Sequence, residues 1–285
     1  MTQNNKIALI TGATSGIGSI ILDHLAKTDH QLLILARSED KLKNHIKKIQ
    51  QINPNVKTEG FICDLSSFES IQKTCAKIKA TYQQIDLLVL NAGIWNFEYK
   101  ESKDQIEETF QVNLLAPIML FEELKTLLLK NDVSKVIITA SALHQGEIHF
   151  NDLELREEFS GFKAYRQSKL GVILMTRWLA ENDAYTGISF YAVHPGMVNT
   201  ELGRSAGWFS RTVFKLFGKS PEKGAETHIY IIDQANSNLK SGEYYANKKI
   251  TKTATYTYNM SVAKKLWNAI QTYLKINTQN HAQNP

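Results

Sequence analysis

Short apolar runs alternate with longer segments of helical periodicity through most of this chain. The runs KIALI, QLLILA, TEGFIC, IDLLVL, KVIITA and ISFYAV are separated by stretches long enough for a helix. Parallel strands need such a crossover, so this order indicates repeated strand–helix–strand units. Most runs are rich in Val, Ile and Leu, which favours strands covered by helices on both faces. The predicted fold class is therefore α/β, a doubly wound parallel sheet with helices on both faces.

The length of 285 residues suits one large α/β core with its surface helices. Hydrophobic residues make up 43% and charged residues 21%, the balance of a globular protein rather than a disordered or membrane one. No internal repeat or linker divides the chain. We predict a single domain over residues 1–285, whose polar last segment, NTQNHAQNP, is frayed from about residue 277.

The charge and cysteine content exclude several classes of function. A net charge of +5 without a cluster of Lys and Arg does not indicate a nucleic-acid partner, although it suits an anionic ligand. Cys63 and Cys75 are too few for a disulfide framework or a four-ligand zinc site, so no metal is predicted. The chain shows neither a secretory signal nor an apolar run of transmembrane length, and we expect a cytoplasmic protein.

The first strand ends in TGATSGIG and leads directly into a helical segment. Glycines in this position allow a tight turn and let the backbone approach a pyrophosphate, whose charge the helix N-terminus favours. The spacing G-x-x-x-G-x-G differs from the commoner G-x-G-x-x-G, and a simple turn is the alternative interpretation. The residues expected to bind the phosphates are Gly12, Thr14, Ser15, Gly16, Ile17 and Gly18.

A second motif, Asn91, Ala92 and Gly93, follows the strand IDLLVL. Together with TGATSGIG it resembles the short-chain dehydrogenase/reductase superfamily, in which both motifs line a dinucleotide site. The resemblance implies a Rossmann-type sheet with the ligand at the carboxyl ends of the strands. It also matches Asp64, beside Leu65, to an aspartate that contacts adenine, although a helix cap would explain Asp64 equally well.

The end of the second strand predicts the choice of cofactor. An acidic residue there would accept a hydrogen bond from the ribose of NAD and repel a 2′-phosphate, but this chain has Ala36 and Arg37. The guanidinium of Arg37 suits a phosphate, and Lys41 lies one helical turn further on. NADP(H) is therefore the predicted cofactor, with an ordinary surface arginine as the alternative for Arg37.

The segment AYRQSKL places Tyr165 and Lys169 on one face of a helix. A tyrosine with a pKa near 10 is a poor base at neutral pH unless a positive charge favours the phenolate, and we expect Lys169 to supply that charge. Ser141, at the end of KVIITAS, is placed to hydrogen-bond a substrate carbonyl. Asn113 matches the asparagine that, in the family, supports a water relay. The four resemble a complete catalytic tetrad.

Thr139 lies two residues before Ser141 and would point the same way from a strand. The resemblance favours Ser141, which matches the second serine of the family's pair. Tyr165 follows Ser141 by 24 residues, a longer spacing than is usual in the superfamily, so an insertion at about 147–162 should loop out at the rim of the site. This spacing, the DLE at 152–154 and YRQSKL resemble the retinol dehydrogenase, WW-domain oxidoreductase and protochlorophyllide reductase branch.

After the sixth strand, VHPGMVNT matches the family's turn beside the nicotinamide. The cofactor-binding residues expected there are Pro195, Gly196, Val198 and Thr200. His194 and His144 receive no role. The following apolar segment, about 205–218, is predicted to be a substrate lid, with a packed helix and weak membrane-surface contact as alternatives.

These residues predict an NADP(H)-dependent oxidoreductase that transfers a hydride between nicotinamide and a small apolar aldehyde, ketone or alcohol. One alternative is a sugar-nucleotide epimerase of the extended type, which would share the Tyr-Lys pair. The other is a regulatory or scaffold protein that binds NADP without turnover. The sequence leaves open whether the chain forms a homo-oligomer.

Overall fold

One mixed sheet organises the part of the chain that the computed structural model describes, residues 6–130, 133–196 and 220–282, with side chains as far as 275. Its strands are β1 (Lys6–Thr11), β2 (His30–Ala36), β3 (Thr58–Ile62), β4 (Leu87–Leu90), β5 (Ser134–Thr139), β6 (Ile188–His194), β7 (Tyr244–Ala246) and β8 (Lys249–Ile250). Their order is β3-β2-β1-β4-β5-β6-β7-β8. The first seven are parallel, and β8 is antiparallel to β7.

The direction of strand succession reverses at β1, which pairs with β2 on one side and β4 on the other. Thr11, the last residue of β1, lies opposite Leu35 on β2 and Leu90 on β4. In open parallel sheets ligands bind in the crevice that such a reversal leaves beyond the carboxyl ends of the strands. The topology thus confirms the predicted doubly wound α/β fold and indicates where its site lies.

Helices cover both faces of the sheet. They are α1 (Gly16–Leu25), α2 (Glu39–Ile52), α3 (Phe68–Thr81), α4 (Glu108–Phe110), α5 (Ala116–Leu128), α6 (Gly161–Ala180), α7 (Pro221–Asp233) and α8 (Met260–Ala282), with a π-helical turn, Gln111–Leu115, joining α4 to α5. The face covered by α1, α2 and α7 has one apolar core. The other face, covered by α3, α5, α6 and α8, has a larger one. Both faces of the central strands are therefore buried, as their unalternating composition predicts.

Local capping signals fix where two of these helices begin. The Ser38 hydroxyl accepts from the amide of Lys41 at the start of α2 (3.4 Å), and the Ser67 hydroxyl accepts from Ser70 at the start of α3 (3.2 Å). Glu69 lies in the first turn of α3, where the helix dipole stabilises a negative charge. Such caps satisfy amides that have no partner within the helix.

The last helix, α8, continues through residues 277–282, where the polar composition predicts a frayed end. Its buried residues Leu266, Ile270 and Leu274 pack on the larger core. A helix that is nucleated by such packing extends into polar sequence at little further cost, since each added residue gains one hydrogen bond.

Two classes of feature are missing from the described ranges. None of the helices there is both long and apolar enough to cross a bilayer. Nor do three His, Cys, Asp or Glu side chains come together within those ranges to hold a metal ion. Cys63 and Cys75 are both buried as free thiols.

Candidate active site

The glycine-rich turn packs backbone against backbone where β1 and β4 end. Gly12 and Gly16 have φ angles of +66° and +51°, which side chains other than glycine rarely adopt. A Cβ on Gly18 would lie 2.0 Å from the Gly12 carbonyl oxygen, and one on Gly12 would lie 2.8 Å from the Ala92 Cα. The predicted turn therefore requires glycine at these three positions, and it brings the amide end of α1 to the sheet's carboxyl edge.

The start of α1 suits a pyrophosphate. Ser15 occupies the capping position, but its hydroxyl makes no capping hydrogen bond, and the first turn of α1 carries no acidic side chain. The first amides of a helix and its dipole favour a negative group at such an end. Thr14, Ser15 and Ile17, predicted from sequence, lie in this turn. The residues present thus fit the phosphates of a dinucleotide.

Asn91 joins the turn to the end of β4. Its amide and that of Ala92 both donate to the Thr11 hydroxyl at 3.1 Å, and its side-chain Nδ2 donates to the Gly12 carbonyl at 3.3 Å. The sequence predicts a cofactor contact for Asn91. In the structure it supports the loop that would make such contacts.

A buried histidine on α7 extends this network. His228 Nε2 shares a 2.9 Å hydrogen bond with the Thr139 hydroxyl, which also donates to Asn91 Oδ1 at 3.3 Å. Burial lowers the pKa of His228 to about 3, so the ring is neutral at physiological pH. Since the Thr139 hydroxyl is occupied by these partners, Ser141 is the better placed of the two candidate hydroxyls.

Ser141 and Tyr165 meet at the carboxyl end of β5. The Ser141 hydroxyl hydrogen-bonds the Tyr165 phenol and accepts from the Leu143 amide at 3.1 Å. Burial raises the pKa of Tyr165, and the hydrogen bond from Ser141 lowers it only in part. The phenol is therefore protonated at neutral pH and can donate a proton to an acceptor beside it.

Lys169 lies next to this pair without bonding the phenol. Its Nζ donates to the Thr139 carbonyl at 2.8 Å and lies 5.8 Å from the centre of the Tyr165 ring. Burial lowers the pKa of Lys169 to about 8, so most of the population is charged at pH 7. The sequence predicts that this charge favours the phenolate of Tyr165. In the structure burial acts in the opposite direction and raises the pKa of the phenol.

Asn113 lies in the π-helical turn, a feature that the sequence does not reveal. Its Oδ1 accepts from the Ile94 amide (2.8 Å), and its Nδ2 donates to the Ile94 carbonyl (2.9 Å) and to the Ser168 hydroxyl (3.1 Å). A Cβ on Gly93 would lie 3.2 Å from Asn113 Oδ1 and 3.5 Å from Lys169 Nζ. The four predicted catalytic residues therefore converge on one place, and π-turns are frequent at such sites.

The predicted adenosine side of the site lies at the ends of β2 and β3. Arg37 directly follows β2 and is exposed. Asp64 accepts from the Ser66 amide (3.0 Å) and hydroxyl (2.7 Å) and pairs with Lys103 Nζ at 2.9 Å. Burial opposes the ionisation of Asp64, but Lys103 and Ser66 outweigh it and keep its pKa below the usual value. Arg37 acts electrostatically on Lys103, so these two cations lie near the same edge. The sequence analysis missed Lys103, because an isolated lysine in a loop carries no signal.

An aromatic surface flanks Tyr165 and was not predicted either. Trp95 stacks on the Tyr165 ring, with centroids 4.5 Å apart and planes at 15°. Phe97 and Phe162 pack against the same indole at 5.1 Å and 6.1 Å, and they remain 39% and 45% exposed. The signal in the sequence was the aromatic spacing IWNFEY immediately after Gly93.

The two histidines without a predicted role support the backbone around Ser141. His144 Nδ1 bonds the Ser141 carbonyl (2.8 Å), and its Nε2 accepts from the Ala254 amide (3.2 Å). His194 Nδ1 accepts from the Ala142 amide at 3.2 Å. Both rings pack on Tyr244. These contacts are structural, because each ring holds a main-chain segment.

The insertion between β5 and α6 has two buried side chains, Ile148 and Leu155, and Ile148 belongs to the larger core. Glu154 within it accepts from the Glu107 amide at 2.9 Å, just before α4, which leads into the π-helical turn with Asn113.

The turn after β6 contains Pro195 and Gly196 as predicted, with Gly196 at φ +86°. The predicted residues Val198 and Thr200 and the predicted lid at 205–218 lie outside the described residues.

Comparison with known proteins identifies the class to which this fold and site belong. Residues 6–208 match the family model described as short chain dehydrogenase. The chain therefore belongs to the short-chain dehydrogenase family, as its motifs predict, and it is an oxidoreductase that uses a nicotinamide cofactor.

Individual relatives confirm the predicted branch. The chain is 32% identical to human polyprenol dehydrogenase, over 92% of this chain and 83% of that protein. It is 30% identical to human retinol dehydrogenase 14, over 93% of this chain and 85% of the relative. One similar solved structure is that of a putative NAD(P)-dependent gluconate 5-dehydrogenase from Beutenbergia cavernae with bound NADP. Its sequence is 25% identical, the TM-score is 0.69, and the match covers 86% of this chain and 95% of that chain.

Proposed function

We propose that this chain is an NADP(H)-dependent oxidoreductase that interconverts an apolar aldehyde or ketone and the corresponding alcohol. The observation that carries the proposal is the buried phenol of Tyr165, bonded to Ser141 with Lys169 beside its ring. A site that only binds a dinucleotide has no need of a proton donor held in this way.

The chain's own residues account for the proton half of the reaction. NADPH, when bound, supplies the hydride. Ser141 would hold the substrate oxygen toward the phenol, and Tyr165 would pass its proton to that oxygen during reduction. In the oxidative direction Tyr165 takes the proton back, so that direction needs the phenolate. Lys169 and Asn113, which converge at Gly93, would return a proton to the phenol.

Three groups of residues would hold the cofactor. The turn Gly12–Gly18 and the start of α1 suit the pyrophosphate. Asp64 would contact the adenine, and Arg37 and Lys103 offer two cations for a 2′-phosphate. With Ala36 as the last residue of β2, no carboxylate occupies the position that would repel that phosphate. We therefore favour NADP(H) over NAD(H).

The aromatic surface formed by Trp95, Phe97 and Phe162 supports an apolar substrate. Two of these rings are partly exposed next to the catalytic phenol, where a hydrocarbon group can bury them. The names of the relatives state polyprenol and retinol, both alcohols with long hydrocarbon frames. We retain the aromatic segment at 205–218 as a proposed lid on its sequence alone, with membrane-surface contact as the alternative. The free thiols favour a reducing compartment such as the cytoplasm.

A cofactor and substrate screen tests this function. Aldehydes, ketones and alcohols of increasing hydrocarbon length are incubated with NADPH or NADP⁺ and with NADH or NAD⁺, and nicotinamide absorbance is followed. We expect turnover with NADPH and an apolar aldehyde. Tight NADPH binding without turnover on any substrate would favour a regulatory protein. Conversion of a sugar nucleotide, assayed separately by product analysis because an epimerase regenerates its cofactor in each cycle, would favour an epimerase.

A further inference from the structure

Trp95 contacts the helix that carries Tyr165 at the phenol ring and at the start of the helix. Its indole stacks nearly parallel to the phenol ring, and its Nε1–H donates to the Gly161 carbonyl at 2.9 Å. Gly161 is the first residue of α6, and Tyr165 lies one turn further along the same helix. One side chain therefore touches both the catalytic ring and the start of its helix.

The loop that carries Trp95 is fixed on both sides. Asn113 bonds both main-chain groups of Ile94, at 2.8 and 2.9 Å. Asn96 Nδ2 donates to Glu108 at 2.8 Å. The loop also lies directly against α6, because a Cβ on Gly161 would come within 2.2 Å of the Asn96 carbonyl oxygen. The indole thus projects from a backbone that has little freedom to move.

We propose that Trp95 is a positioning residue for proton transfer: stacked on Tyr165 and bonded to Gly161, it fixes the direction of the phenol. The hydroxyl end of Tyr165 has Ser141 as a partner, but a hydrogen bond at one atom does not define the plane of the ring. The stacked indole does. Proton transfer requires the phenol oxygen close to, and aligned with, the substrate oxygen.

The stacking on Tyr165 and the hydrogen bond to Gly161 are separable by substitution. Trp95→Phe keeps an aromatic face against Tyr165 but removes the bond to Gly161, whereas Trp95→Leu removes both. Trp178→Leu is the matched control, because Trp178 lies further along α6 and packs on the larger core away from the phenol.

Kinetics on the best substrate form the first arm of the test, which rests on the proposed function. A misplacement of about 1 Å costs as much as 100-fold in rate, so we expect Trp95→Leu to lower kcat about 10–100-fold. The KM for NADPH should stay within about twofold of the parent, because the phosphate-binding turn is unchanged. Trp95→Phe should recover most of kcat. Equal losses in Trp95→Leu and Trp178→Leu, or parental kcat in Trp95→Leu, would overturn the proposal.

The second arm does not need turnover. Tyrosines are replaced by 3-fluorotyrosine, and the Tyr165 resonance is assigned by its loss in Tyr165→Phe. We expect one sharp fluorine signal, shifted by the ring current of the indole, in the parent and in Trp178→Leu. In Trp95→Leu it should move and broaden. An unmoved, sharp signal there refutes the positioning role, whereas an inactive parent with the expected signals refutes only the proposed function.

Discussion

The Lys169 ammonium lies 5.8 Å from the centre of the Tyr165 ring and gives its hydrogen bond to the Thr139 carbonyl rather than to the phenol. The lysine therefore acts on the tyrosine through its field and through the backbone that it holds. The first effect depends on its charge, which burial weakens by lowering its pKa to about 8.

This relationship predicts the pH dependence of reduction. Lys169 is protonated below its pKa, so its charge is present at pH 7 and is lost as the pH rises through about 8. The pKa of Tyr165 is raised, so the proton donor persists over that range. We expect kcat/KM for an aldehyde to fall above about pH 8 in the parent. The Lys169→Ala variant should reduce the aldehyde slowly, and its pH profile should lack the fall in kcat/KM at high pH. A parent profile that stays flat to pH 10 would contradict the role of the lysine.

Arg37→Ala should weaken NADPH binding and leave NADH binding nearly unchanged. Loss of a charge-assisted hydrogen bond costs about 1.5–3 kcal/mol, or roughly 10–100-fold in Kd. Lys103→Ala should act in the same direction but less, because its ammonium is shared with Asp64. Lys43→Ala, an exposed residue paired with Glu39 on α2, is the control. Titration of each variant with NADPH and with NADH measures the two Kd values. An equal loss of affinity for NADH would argue against recognition of the 2′-phosphate by Arg37.

His228 predicts a loss of stability in acid. Its pKa is about 3 in the folded protein, below the ordinary value of 6.5. Between these values the unfolded chain binds a proton that the folded chain does not, so the free energy of unfolding falls as the pH falls. Urea unfolding at pH 7.5 and 5.5 should show the parent losing about 1.4 kcal/mol more than His228→Gln. Equal losses in the two proteins would mean that the ring is protonated when folded.

Substrate length should affect kcat/KM through the aromatic surface. Each buried methylene contributes about 0.8 kcal/mol, so efficiency should rise about fourfold per methylene before a size limit. Phe162→Ala should flatten this rise. Leu129→Ala, an equally exposed apolar residue at the end of α5, should not. A series of straight-chain aldehydes measures the slopes, and an unchanged slope in Phe162→Ala would remove this surface from the substrate site.

The sequence predicted those parts of the molecule that depend on local pattern. The apolar runs predicted β1 to β6, although not the short strands β7 and β8, and the positions at which the runs end placed Gly12, Asn91, Ser141 and Arg37 along one edge of the sheet. Tyr165 and Lys169 were predicted because their spacing is itself a helical relationship.

The parts that were not predicted depend on packing between distant segments. Trp95 contacts Tyr165, Thr139 meets His228, and Lys103 pairs with Asp64 only after the sheet has assembled. The ionisation of Tyr165 also depends on burial, which no residue spacing reveals. For this reason the sequence gives the identity of the proton donor, whereas its protonation state follows from the structure.

The most direct test of the account compares the parent with Tyr165→Phe in NADPH binding and in turnover. The substitution removes the proton donor and keeps the ring that stacks on Trp95. Loss of general acid catalysis costs about 10²–10⁴-fold, so kcat should fall by that factor while the Kd for NADPH stays within about twofold. Tyr185→Phe, which removes a phenol bonded to Glu122, should keep full activity. A Tyr165→Phe protein that binds NADPH and turns over its best aldehyde at the parental rate would contradict the mechanism.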